Sequence, residues 1–216
     1  MARYTEAVCR KCRREHMKLY LKGEKCFSAK CTLEKRNYEP GMAGGARAAQ
    51  KTGGGGKKKL SEYGVQLREK QKARGIYGIL ERQFRKNFGS AVTQKGVTGE
   101  NLIRILERRL DNVIYRMGFA ASRAAARQLV LHGHVRVSGR RVNIPSFSVK
   151  IGDEITLKKP DLHLVKASVE NAKKRSQPEW LSVDMEKRTG KVVSLPTRDA
   201  LEIPLQEKLI VELYSK

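Results

Sequence analysis

The sequence predicts an α+β chain in three parts: a metal-stabilised N-terminal segment, a basic helical domain, and a domain in which two helices pack on a small antiparallel β-sheet. Three observations carry this prediction. All four cysteines fall within the first 31 residues, helical periodicity with dense positive charge runs from Ser61 to Phe88, and after Gly133 the apolar period switches from that of a helix to that of a strand. We place the parts at residues 1–45, 46–97 and 98–216. A chain of 216 residues is long enough to bury a core.

Charge narrows the function before any motif does. Lys and Arg number 46 against 22 Asp and Glu, a formal net charge of +24, and the cations are spread along patterned segments rather than gathered in one tail. A polyanion is the expected partner, met by an extended surface. No stretch approaches the roughly 20 apolar residues of a membrane-spanning helix. The opening MARYTEAVCRKCRREH has no apolar signal region, so neither secretion nor a membrane is expected and the cytosol is the predicted compartment.

The N-terminal segment, residues 1 to about 38, holds Cys9, Cys12, Cys26 and Cys31 in the spacing C-x2-C-x13-C-x4-C. Two thiolates two residues apart can ligate one ion from a tight knuckle whose backbone N–H groups also stabilise sulfur charge, and a second pair closes a tetrahedron. Structural zinc is the expected occupant. The four-residue second spacing leaves an iron–sulfur cluster as the alternative, and His16 could replace one cysteine. Four protein ligands leave no open position for catalysis.

Residues 39–59, EPGMAGGARAAQKTGGGGKKK, read as a glycine-rich tether whose accessible backbone N–H groups and terminal lysines, including Lys57 and Lys58, can lie against phosphate. A nucleotide-binding P-loop fails there, because Lys51 stands where the first glycine is required and Lys58 follows Lys57. From Ser61, Val65, Leu67, Ile76, Ile79, Leu80, Phe84 and Phe88 recur at helical spacing. We expect two helices, about 61–72 and 77–88, joined near Gly75. Arg68, Lys70, Lys72, Arg74, Arg82, Arg85 and Lys86 outnumber Glu62, Glu69 and Glu81, too lopsided for salt-bridge decoration, so Arg68, Lys72 and Arg74 are candidate phosphate contacts.

Thr98 is the expected N-cap for one long helix through ENLIRILERRLDNVIYRM to Gly118, with Leu102, Ile103, Leu106, Leu110, Val113, Ile114 and Met117 on one face and Arg104, Arg108 and Arg116 on the other. Ser122 caps a second helix, RAAARQLVLH, ended by Gly133. Ala125, Leu129 and Val130 are expected to face the first helix, with Arg123 and Arg127 outward. Val135 and Val137 then alternate with Arg136 and Ser138. Gly139 and Arg140 mark a turn, and Val142 with Ile144 form a return strand up to Pro145. GDEITLK predicts a further strand, SVENAKKR a short helix, EWLSVDM and GKVVSLP two strands about KRTG, and KLIVELY a last strand. Trp180 is expected in the core.

No catalytic constellation emerges. G-x-S-x-G and H-E-x-x-H are both missing, and Asp153 and Glu154 are adjacent, so on a strand they point to opposite faces.

The run ERRLDNVIYRMGFAASRAAARQLVLHGHVRVSGRRVNIPSFSVKIGDEI, within about 107–170, resembles the small RNA-binding domain named after small-subunit ribosomal protein four. Its flanks, LSEYGVQLREKQKARGIYGILERQF, the four-cysteine N-terminus and the ending IVELYSK, resemble the bacterial family of that ribosomal protein in its metal-binding form. The resemblance implies metal ligation by Cys9, Cys12, Cys26 and Cys31, and ribosomal-RNA contact by Arg123, Arg127, His132, His134, Arg136, Arg140 and Arg141. It also implies a non-enzymatic constituent of the small subunit that binds the five-prime region of its RNA early and holds a multi-helix junction for assembly. The expected setting is near the path of incoming messenger RNA, supporting translational accuracy beside neighbouring ribosomal proteins, notably protein five, and some members repress their own message. One departure is visible: the usual Asn-Gly turn of the hairpin is Ser138-Gly139 here, which leaves the turn type open. An RNA-modifying enzyme carrying the same domain is the rival, and the 55 or so residues after Pro160 are too few for its catalytic domain. A zinc-finger regulator is the other rival, and it would prefer duplex DNA.

Overall fold

The computed structural model describes residues 4–41, 60–158, 163–172, 177–198 and 204–215. Lys57, Lys58 and most of the expected tether lie outside them. The described chain divides into two compact units, residues 1–81 with 205–216, and residues 82–204.

In the first unit, α1 (Cys9–Glu15), a 3-10 turn (Gly23–Cys26) and α2 (Thr32–Lys35) precede the long α3 (Glu62–Tyr77). The side chain of Ser61 caps α3 by accepting from the Gly64 N–H at 3.2 Å. The expected break near Gly75 does not occur. Gly75 is a buried helical residue whose missing side chain leaves room for Lys11 and Leu19, and the helix stops three residues later at Gly78, in the left-handed region with φ +64°. The buried face of α3 also differs from expectation: Val65 is exposed, whereas Gln66 and Glu69 are buried. Their partner is the C-terminus. The segment expected as a last strand, KLIVELY, is the helix α9 (Glu207–Tyr214). Gln66 Nε2 donates to Glu212 at 3.0 Å, and the backbone N–H of Gln206, just ahead of α9, donates to Glu69 Oε1 at 2.7 Å. A carboxylate at a helix start satisfies an otherwise orphaned donor and meets the positive end of the dipole. A β-like apolar run thus becomes helical because its partner is a helix.

α4 (Glu81–Val92) starts on the last residue of the first stretch, and from Arg82 the second unit holds the rest of it and α5 (Thr98–Glu107). Val97, extended and without a side-chain cap bond, stands at the N-cap of α5, so Thr98 is its first helical residue rather than the expected cap. The long helix expected from Thr98 to Gly118 is interrupted, and α6 (Leu110–Arg116) follows as a separate element. The cause is tertiary. Arg109 takes an extended conformation (ψ 134°) and pairs as a β-bridge with Ser148, while Leu110 and Asp111 donate to Phe147 and Pro145 and Val149 donates to Arg108. Three backbone bonds to a segment about 40 residues on replace the helical ones that are lost.

Ser122 caps α7 (Arg123–Leu131) as expected, accepting from the Ala125 N–H at 3.2 Å. Its buried positions are Ala126 and Val130. Ala125, expected inside, is exposed, a rotation of the buried face by one residue. Then follow β1 (Val135–Val137), β2 (Arg140–Arg141), β3 (Glu154–Leu157), α8 (His163–Ala172), β4 (Leu181–Asp184) and β5 (Thr189–Val192). The helix expected in SVENAKKR thus starts earlier, and its residues 173–175 lie outside the described residues. The sheet is antiparallel in the order β2-β1-β3-β5-β4. The return strand is shorter than expected, since β2 ends at Arg141 and Ile144 is exposed.

The α+β class is as predicted. Leu110, Val113, Ile114 and Met117 of α6 with Ala126 and Val130 of α7 form one core with Val135, Val137, Ile155, Val192 and Trp180, the last only 2% exposed. Gly190 lets α6 approach the sheet, for a Cβ there would lie 2.7 Å from the Met117 thioether.

Candidate nucleic-acid interface

Alternation in β1 turns Val135 and Val137 into the core and Arg136 outward. The register then places Arg136 directly opposite Arg141. Arg140, opposite Val137 at the hairpin end, is also exposed. Among the described residues no carboxylate pairs with any of these three arginines. Like charges opposed across a ladder cost stability in the isolated protein, on the scale of roughly 0.2–1 kcal/mol per pair. An anion between them reverses the sign. His132 and His134 flank the helix end with rings stacked nearly parallel, 6.2 Å apart, His132 exposed and His134 half-buried.

The turn is settled by its backbone. Ser138 has φ 47° and Gly139 φ 79°, the paired positive angles of a type I′ hairpin. Serine is held there by two bonds, its N–H donating to the Glu154 carbonyl at 2.7 Å and its Oγ to Asp153 Oδ1 at 3.3 Å. We expect Ser138→Asn to raise unfolding stability by about 0.5–1 kcal/mol, because asparagine tolerates the left-handed region better. Urea unfolding followed by Trp180 fluorescence measures this, and a lower midpoint would show that the Asp153 bond outweighs the backbone strain. Gly133, with φ 69°, is equally constrained: a Cβ would fall 2.2 Å from Arg141 Nε, so the Arg141 side chain crosses the helix stop.

The helix arginines are not the free outward charges expected. Arg127 Nη1 donates to Asp111 at 3.2 Å, and Arg109 grips the same carboxylate through two bonds of 3.1 and 2.8 Å. Arg123 donates to Asn112 Oδ1 at 2.8 Å and lies over the Tyr115 ring. Asn112 in turn donates to Glu107, which is fully buried and accepts both forks of Arg116 at 3.0 and 3.1 Å. Arg108 donates to the Val149 carbonyl and Arg104 to Asn101. This network fixes the direction of Arg123 and Arg127: Asp111 pairs with Arg109 and Arg127, Glu107 pairs with Arg116, and Arg123 is held by the Asn112 amide oxygen. Sequence reasoning missed Glu107, Asp111 and Asn112, although two carboxylates four apart among arginines in ERRLDN were the signal.

In the first unit, Arg68 pairs with Glu15, Lys72 with Glu69 at 2.7 Å, and Arg74 with Glu81 at 3.0 Å. These three contribute to packing as well as charge. Cys12, Cys26 and Cys31 are buried and Cys9 is half-buried. The Lys22 N–H donates to Cys26 Sγ at 3.3 Å and the Leu19 N–H bonds Cys12, the backbone arrangement expected of a knuckle. Burial pushes the Cys12 and Cys26 thiols above their ordinary range, and neighbouring cysteines add to it. Four cysteine sulfurs are a donor type that zinc takes as thiolates. As placed, no three His, Cys, Asp or Glu groups among the described residues have the geometry to hold one. His16 ends α1 at φ 51° and stands 3.7 Å from Glu39.

These features define a class: a cationic α+β protein that displays arginines from a helix–hairpin body. Comparison with known proteins gives the family. Residues 3–107 match the ribosomal protein S4/S9 N-terminal domain, and residues 108–155 match the S4 domain. Over the full length of both chains, the protein is 57% identical to small ribosomal subunit protein uS4A of Alkaliphilus oremlandii and 57% identical to small ribosomal subunit protein uS4 of Acetivibrio thermocellus. It is 53% identical, again over both full lengths, to uS4 of Thermodesulfovibrio yellowstonii. The chain belongs to the uS4 family of small ribosomal subunit proteins.

Proposed function

We propose that the chain is a structural constituent of the cytoplasmic small ribosomal subunit that binds the five-prime region of its RNA early and holds a multi-helix junction while the rest assembles. The observation that carries this reading is the hairpin on which Arg136 faces Arg141, with Arg140 exposed at its end and, among the described residues, no carboxylate paired with them. Arginine forks bind phosphate in pairs, and RNA junctions are recognised by shape and backbone more than by base sequence. In this reading residues 1–45, 46–97 and 98–216 form three functional parts, with Arg68, Lys72, Arg74, Arg104, Arg108, Arg123, Arg127, His132 and His134 extending the RNA surface. Zinc on Cys9, Cys12, Cys26 and Cys31 stabilises the first part, an iron–sulfur cluster being the alternative. Protein five and messenger RNA are the proposed neighbours beyond the ribosomal RNA, with support of accuracy and self-repression as consequences of that position. Among the described residues no helix is long and apolar enough to cross a membrane.

Footprinting on small-subunit RNA tests the reading. Protections gathered about one junction in the five-prime region support it, and protections scattered along the RNA or confined to its three-prime half overturn it. A quantitative companion is the triple variant Arg136→Ala, Arg140→Ala, Arg141→Ala. It is expected to fold normally and to lower the slope of log affinity against log salt by about 2 to 3, at roughly 0.7–0.9 for each phosphate no longer neutralised. An unchanged slope would remove the hairpin from the interface.

A further inference from the structure

Within the first unit, a cleft of about 430 Å³ is walled by α1 and α3. Its floor and rim are apolar at Leu19, Ile79 and Leu80, and its charged lining is mostly cationic. Both lining carboxylates are already matched: Glu6 pairs with Arg10 at 2.9 Å, and Glu15 pairs with Arg68. Arg14 pairs with Glu39 and Arg74 with Glu81, neither of which lines the cleft. Lys11 differs. Among the described residues its ammonium has no carboxylate partner and lies over the Tyr4 ring, 4.2 Å from the centroid. Arg74 directs Nη1 to Glu81 and Gln71, while its Nε–H is buried with no hydrogen-bond partner. A buried guanidinium donor left unpaired costs on the order of 1–3 kcal/mol or more, and Arg74 and Lys11 line the same concavity. The volume falls within the range of small-molecule pockets, roughly 300–1,000 Å³.

We infer that this cleft seats one phosphodiester group of the bound RNA, its phosphate between Lys11 and the Arg74 guanidinium and its ribose against Ile79 and Leu80. The inference rests on the RNA-binding reading above and adds a subsite to it, remote in sequence from the hairpin, in which Lys11 joins Arg74. An apolar wall beside two donors suits a sugar–phosphate better than an isolated inorganic anion, which offers nothing to Leu80.

The experiment compares the full-length chain with Lys11→Gln, Lys11→Arg and Leu80→Glu. Small-subunit RNA affinity is measured across a salt series, and inorganic phosphate is titrated in parallel. Lys11→Gln should lower the salt slope by roughly 0.7–0.9, the share of one phosphate, with several-fold weaker binding, and Lys11→Arg should restore both. Leu80→Glu, at an exposed rim position, should weaken RNA binding by charge repulsion without touching α1. Millimolar inorganic phosphate should leave RNA binding by the wild type unaltered. If phosphate competes at that level, the cleft is a free-anion site and the RNA assignment is overturned. If Lys11→Gln and Leu80→Glu bind RNA with wild-type slopes while the hairpin triple variant does not, the cleft is no RNA subsite and the wider reading stands. If the wild type itself shows no salt-dependent RNA binding, the wider reading fails. Unchanged circular dichroism in all three variants excludes misfolding, and Leu80→Glu keeps the test sound if Lys11→Gln disturbs the adjacent Cys12.

Discussion

Replacing Glu107 by alanine is expected to destabilise the unit spanning residues 82–204 by about 3–5 kcal/mol, the usual cost of removing one member of a buried ion pair. Glu107 is fully buried and accepts from Arg116 Nε, Arg116 Nη2 and Asn112 Nδ2. Truncation takes the carboxylate away from both forks of a largely buried guanidinium and removes one of two acceptors from the Asn112 amide, whose bond to the Glu107 backbone carbonyl at 3.0 Å stays. Glu107→Gln keeps the shape and one acceptor oxygen, so its loss should be smaller. Trp180 is the chain's single tryptophan and belongs to this unit's core, so its fluorescence in urea reports the change directly. Glu100→Ala, at an exposed position of the same helix, should shift the midpoint little, within about 0.5 kcal/mol. Equal midpoints for Glu107→Ala and the wild type would show that the network contributes nothing net. The same variant carries a functional consequence, because Asn112 is the link between Glu107 and Arg123. Loss of aim at Arg123 should weaken RNA binding under conditions in which the protein is still folded.

That network also marks the limit of what was legible in the sequence. Local signals were reliable where one element decides its own fate: Ser122 as a cap, Gly133 as a stop, the valine–arginine alternation of β1, and the strands on either side of KRTG. Arg136 reads correctly as exposed for the same reason, whereas Arg140 and Arg141 are adjacent, fall on opposite faces, and are both exposed because β2 is a two-residue strand at the edge of the sheet. Expectation failed where a distant partner decided. The interruption at Arg109 depends on residues 145–149, and the polar buried face of α3 depends on α9, well over 100 residues later. Arginines on helices were misjudged on similar grounds. Periodicity says which side a residue lies on, but not whether Asp111 or Asn112 lies on that side as well. Arg127 and Arg123 are therefore held charges, ordered before a polyanion arrives, and pre-ordering reduces the entropy lost on binding.

Cys9→Ser, or a chelator that takes away the proposed metal, is expected to unfold the segment from Tyr4 to Tyr38 while α3, α9 and the second unit persist. The segment has few buried apolar residues of its own, Leu19 among them, beside three buried cysteines. Proposed zinc binding, with an apparent free energy on the order of 10–16 kcal/mol near neutral pH, exceeds what that small core supplies. The α3–α9 pair has independent support in Gln66 with Glu212, Glu69 with Gln206, and Glu81 with Tyr214 at 2.7 Å. Hydrogen exchange should therefore show protection lost over 4–38 and retained over 62–77 and 207–214. The pH dependence separates the metal-bound from the metal-free segment by sign. Burial raises the Cys12 and Cys26 thiols, so without metal their contribution is complete below the ordinary thiol range and is lost as the pH rises through the raised values. With zinc on thiolates the order reverses, because protons compete for sulfur and stability falls on acidification. A Cys9→Ser chain that keeps one zinc and full protection over 4–38 would disprove the four-cysteine site. Stability of that segment that declines only on the alkaline side would show that neutral thiol packing, without metal, holds it.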